Sequence, residues 1–127
     1  MMKEKCTLRE ELFGGYFIQC DIIPMGKDYT MAVYGGDTPH VGSVVMSTAR
    51  PSLTGEGIGV TSSVLTGIAH KDDVVAKLFA EAAAKEAECT VVCSCGIHVD
   101  DITPDHIKIV QEKSGLLLKQ TLEYIKR

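Results

Sequence analysis

The apolar residues of this chain change their period part-way along, and that change restricts the fold more than any other feature. From Tyr16 to Leu65 they come in short runs rich in β-branched and aromatic side chains, punctuated by Pro and Gly. Runs of this kind predict strands over Tyr16–Ile23, Tyr29–Tyr34, Val41–Ser47 and Gly59–Leu65. Pro24-Met25-Gly26 turns the first into the second as a hairpin. From Asp72 onward the spacing is helical, through Val74, Val75, Leu78, Phe79, Ala82 and Ala83. Asp72 and Asp73 stand in the first turn, where the helix dipole favours carboxylates.

This helix ends near Glu88, and Cys89–Cys95 then reads as a short, mostly apolar strand, central and buried. Thr103-Pro104 opens a second helix, with Thr as N-cap, Pro at the first helical position and an apolar stripe through Ile107, Val110, Leu118, Leu122 and Ile125. Gly115 is a place where it could bend. The order β-β-β-β-α-β-α predicts one α+β domain over residues 1–127. Its first four strands form an antiparallel meander, within a mixed, mainly antiparallel sheet carrying both helices on one face. With 45% of the residues hydrophobic, the other sheet face is expected to lie against another subunit, as a homodimer or higher homo-oligomer.

A net charge of −4 offers no electrostatic footprint for nucleic acid. No apolar run approaches the roughly 18 residues of a membrane span, and Met-Met-Lys-Glu-Lys-Cys lacks the apolar region of a signal peptide, so a cytoplasmic protein is expected. The odd count of five cysteines predicts free thiols. Cys93 and Cys95 fall on one face of their strand and read as apolar filler.

Reactive side chains collect in three loops: Gly35–Gly42 with Asp37 and His40, Thr66–Asp73 with His70 and Lys71, and Gly96–Thr103 with His98, Asp100 and Asp101. His70-Lys71 precedes a helix whose free N–H groups attract anions, although a solvated lysine and a capping histidine would look the same. Arg50-Pro51-Ser52 could hold a phosphate through the guanidinium and the hydroxyl, or Arg50 could simply pair with a surface carboxylate. His40, His98 and Asp100 are types that a divalent metal accepts, yet no two histidines have a tight ligand spacing. Asp100 or Asp101 could instead cap the second helix. His106, in the first turns of that helix, reads as solvated.

Gly35-Gly36-Asp37-Thr38-Pro39-His40-Val41-Gly42-Ser43-Val44, Arg50-Pro51-Ser52-Leu53-Thr54, Ser62-Ser63-Val64-Leu65, His70-Lys71-Asp72-Asp73 and Gly96-Ile97-His98-Val99-Asp100-Asp101-Ile102-Thr103 together resemble the LpdD-like prenylated-flavin chaperone family. The resemblance implies an accessory protein of UbiD-type decarboxylases. Such a protein binds prenylated flavin mononucleotide, or FMN itself, and delivers the cofactor with no bond-making step of its own. It further implies a cofactor site drawn from Gly36, Asp37, His40, Arg50, Ser52, His70, Lys71, His98 and Asp100. In that site Lys71, His70 and Arg50 take the phosphate, and the other two loops take the ribityl chain or flavin edge. Ala69 stands where the family pattern leads one to expect Gly. Two further readings compete: a small metal-assisted enzyme using His40, His98 and Asp100, and a structural subunit of a decarboxylase complex.

Overall fold

The computed structural model describes residues 3–67 and 72–127. Its elements follow as β1 (Cys6–Glu11), β2 (Phe17–Met25), β3 (Asp28–Gly36), β4 (Ser43–Pro51), β5 (Ile58–Thr66), α1 (Asp72–Ala87), β6 (Thr90–His98) and α2 (Pro104–Lys126). The α+β class and the two helices agree with the sequence reading, and a sixth strand, β1, is added. It alternates Cys6 and Leu8 towards the core with Thr7, Arg9 and Glu11 outward, the charged dressing of a sheet edge.

The strands are ordered β1-β2-β3-β6-β4-β5. This corrects the expected meander, because β3 and β4 are not neighbours. β6 inserts between them, parallel to β3 and antiparallel to β4. Its apolar composition suits that central place, where α1 packs over its inner face.

One sheet face meets both helices. Ile18, Cys20 and Ile22 of β2, Met31 and Val33 of β3, Val45 of β4, and Val91, Cys93 and Cys95 of β6 pack beneath Phe79, Ala80 and Ala83 of α1 and Leu117 and Ile125 of α2. Burying Phe79 completely contributes on the order of 1.5–3 kcal/mol. The cysteines are free thiols, and burial pushes Cys20 up to about 12 and Cys89 up to about 11, so both stay protonated and inert.

The helices bury faces that only partly match those expected: Phe79, Ala83 and Ile125 are in the core and Val75 and Leu118 pack against it, while other predicted positions are exposed. In α1 the buried stripe is Ala76, Phe79, Ala80, Ala83 and Ala84, whereas Val74 and Leu78 are exposed. Small alanines let the helix lie close to the sheet, and the larger side chains are turned aside. In α2 the seam is Ser114, Leu117, Thr121, Tyr124 and Ile125. Gly115 faces open space, and α2 continues through it as helix. Thr103, not an aspartate, caps α2 by accepting a hydrogen bond from the His106 amide. His106 is not a solvated residue either, since its ring stacks on Phe13 at 3.9 Å between centroids.

Among the described residues the opposite sheet face carries no helix. Its β1–β3 half carries a polar cluster, with the Tyr34 hydroxyl donating to Asp21 at 2.5 Å and Thr7 donating to the same carboxylate at 2.9 Å, beside exposed Phe17, Ile23 and Met25. Its β4–β5 half exposes Met46 and Leu65. Among the described residues no helix is long and apolar enough to cross a membrane.

Candidate functional site

Because β3 and β6 run parallel, their C-terminal ends emerge at the same edge of the sheet, and the register pairs Gly36 with His98. The segments that follow, 37–42 and 99–103, are therefore neighbours although distant in sequence. Backbone donors fasten them: the amides of Asp37 and Thr38 donate to the His98 carbonyl at 2.8 and 3.3 Å, and the Gly42 amide donates to the Cys95 carbonyl at 2.8 Å. Gly36 is indispensable here, with φ at +84° and the His98 carbonyl oxygen where a methyl group would stand.

Two histidine–carboxylate pairs crown this edge. His98 Nε2 lies 2.9 Å from Asp100 Oδ1, and the Asp100 amide donates to Asp37 Oδ2 at 2.7 Å. His40 Nε2 lies 3.2 Å from Asp72 Oδ2, while Asp72 Oδ1 accepts the Ile97 amide at 3.1 Å. The two imidazoles stand edge to face, 6.3 Å apart. A side chain at position 42 would collide with the Asp72 carboxylate, so Gly42 makes room for this second pair. The Asp100 carboxylate beside His98 holds that imidazole above the usual histidine range, aided by Asp37 and Asp72. The Asp100 amide, seconded by the Thr38 hydroxyl, holds Asp37 below the usual carboxylate range.

Beside these pairs a cavity of about 550 Å³ opens between the start of α1, the end of β6 and the first turns of α2. Val74, Val75, Ile97, Val99, Ile102, Ile107 and Val110 make its walls, and Asp72, His98 and Gln111 give it polar groups. Val74 of α1 and Ile107 of α2, which the helices withhold from the core, thus reappear as lining. Val74 is 66% exposed and Ile107 36%, a concave apolar surface of the kind that takes small molecules.

Gly36, Asp37, His40, His98 and Asp100 of the predicted set are brought together at this edge. Arg50 and Ser52 are not. β4 starts at the site edge, with Ser43 opposite Cys95, and carries Arg50 to the far edge, roughly 20 Å away at about 3.3 Å per residue. There the Arg50 guanidinium donates to Thr61 Oγ1 at 2.8 Å and to the carbonyls of Pro51 and Val60, so it pairs with no carboxylate. The Ser52 hydroxyl meets that of Thr54 at 2.9 Å. His70 and Lys71 lie outside the described residues. Asp72 was missed as a site residue because a first-turn aspartate satisfies the helix dipole on its own. The groove wall was missed because apolar residues at helical spacing read as core.

Comparison with known proteins identifies the family and the fold. The family described as the prenylated flavin chaperone LpdD-like domain matches residues 13–126. Protein LpdD of Lactiplantibacillus plantarum is 28% identical over 112 residues, which cover 88% of this chain and 79% of that protein. In fold, the chain is similar to one from a chaperone complex for yeast 20S proteasome assembly. That similarity has a TM-score of 0.59 and 10% identity, and spans 98% of this chain and 97% of the other. At that identity it speaks for the fold alone. With nearly its whole length matched, including both loops that carry the paired histidines, the chain belongs to the prenylated flavin chaperone LpdD-like family.

Proposed function

We propose that the chain binds prenylated flavin mononucleotide in the groove between α1, β6 and α2, shields it, and hands it to a UbiD-type aromatic-acid decarboxylase. The observation that carries this reading is the apolar cavity opening onto the histidine–carboxylate pairs, in a chain of this family. Its volume falls within the roughly 300–1,000 Å³ usual for small-molecule sites, and its valine and isoleucine walls suit a prenylated ring system. His70 and Lys71, immediately before Asp72 in sequence, are kept as the phosphate-holding pair. His98 lines the cavity itself, and Gly36, Asp37, His40 and Asp100, beside it on the adjoining loops, are kept as cofactor-binding residues. Arg50 and Ser52 fall away from this pocket. No bond-making step is assigned to the protein, and it works in the cytoplasm as a homo-oligomer joined through the β4–β5 half of the uncovered sheet face.

Co-expression with a flavin prenyltransferase, followed by native mass spectrometry and an absorption spectrum, tests the reading. The expected result is a bound mass equal to prenylated FMN, or to FMN if the site does not discriminate, and passage of that mass to an apo-decarboxylase. Val74→Glu and Ile107→Glu, both on exposed wall positions, should weaken binding at least tenfold without unfolding the protein. Colourless wild-type protein without a bound flavin mass overturns the proposal.

A further inference from the structure

We propose that Asp37, His98 and Asp100 form a binding site for a divalent transition-metal ion. One ligand atom from each of the three lies within 4.8 Å of the others. An ion with bonds of about 2.1 Å needs donors roughly 3.0 Å apart when adjacent and roughly 4.2 Å apart when opposite. The His98 Nε2 to Asp100 Oδ1 separation of 2.9 Å already matches an adjacent pair. One imidazole nitrogen with two carboxylate oxygens suits manganese, iron or zinc better than the all-oxygen preference of calcium.

The donors are held in place before any ion arrives. His98 ends the central strand, the Gly36–His98 register sets Asp37 beside it, and the Asp100 amide and Thr38 hydroxyl orient the Asp37 carboxylate. Among the described residues the carboxylates of Asp37 and Asp100 have no lysine or arginine partner. An ion held by the three donors would keep positions open for outside oxygens. The site rests on its own donors and not on the flavin reading.

Electron paramagnetic resonance of Mn²⁺ added to the purified, flavin-free chain reads this directly. The free-ion signal should fall with a stoichiometry of one per chain, and Zn²⁺ should restore it by competition. Asp37→Asn keeps an acceptor for the Asp100 amide, so the fold is retained while affinity drops at least tenfold. His98→Gln should do the same, with circular dichroism melts verifying the fold of each. An undiminished free-ion signal at sub-millimolar protein overturns the site. So does binding that survives His98→Gln but is lost in His40→Gln, which would move the ion to the His40–Asp72 pair. Because no flavin is present, either failure leaves the cofactor proposal standing.

Discussion

The two ends of β4 are built from similar materials and do different things. At its start, Ser43 adjoins the parallel ends of β3 and β6, where two separate loops are laced to the His98 and Cys95 carbonyls and frame a groove. At its finish, Arg50 and Ser52 belong to a hairpin that satisfies itself, with the guanidinium already engaged by Thr61 and two carbonyls of its own turn. The difference follows from strand direction. Parallel neighbours deliver their following loops to one edge, where side chains from distant segments converge, whereas an antiparallel hairpin returns its loop to itself. A polar motif on such a hairpin spends its donors locally.

The largest effect expected from this contrast is in the glycines. Gly36→Ala places a methyl group against the His98 carbonyl at a positive φ, and should destabilise by about 3–5 kcal/mol from strain plus overpacking. Gly57→Ala at the Arg50 end has a similar φ of +78° but open space around it, and should cost only about 1 kcal/mol. Denaturant midpoints of the two variants check the difference, and equal losses would dissolve the distinction between the ends. Next in size, Asp72→Ala strands the Ile97 amide and leaves His40 without its carboxylate, a loss of about 1–3 kcal/mol. Arg50→Ala, on the surface, should stay within about 0.5 kcal/mol.

The smallest effect is in pH dependence, and only the histidine end shows it. His98 is held above its unfolded value near 6.5, so its contribution is complete below that pH and is lost as pH rises through the folded value. Asp37 is held below its unfolded value near 3.9, so its contribution is complete above that pH and is lost as pH falls through the folded value. The loops are therefore tightest between about pH 4 and 6.5. Melting temperatures followed from this range upward in pH should be flatter on the alkaline side for His98→Ala than for wild type, while Arg50→Ala should reproduce the wild-type profile.

Much of the fold was legible because period and punctuation are local: the β2–β3 hairpin, the capped α2 and the apolar β6 all announce themselves within a few residues. The Cys6–Glu11 strand did not, since its outward Thr7, Arg9 and Glu11 mask the inward Cys6 and Leu8. Nor did the insertion of β6 between β3 and β4, which depends on contacts between distant segments. The site was legible as residue types, in Asp37, His40, His98 and Asp100, but not as partnerships. His98 meets Asp100 only two residues on, whereas the meeting of His40 with Asp72 joins segments distant in sequence, and no spacing encodes it. Val74 and Ile107 show the converse limit, because helical periodicity locates an apolar face without saying whether a sheet or a cavity lies opposite.

The central place of β6 also sets the order in which the molecule can be assembled. The β2–β3 and β4–β5 hairpins are local and can close as soon as their residues are available. Among the described residues no strand bridges them until residues 90–98 arrive, and until then β3 and β4 each present an open edge with unpaired backbone groups. Before β6 pairs, the two half-sheets have two adhesive edges between them. One late strand seals both at once, and in the same step brings the two histidines together.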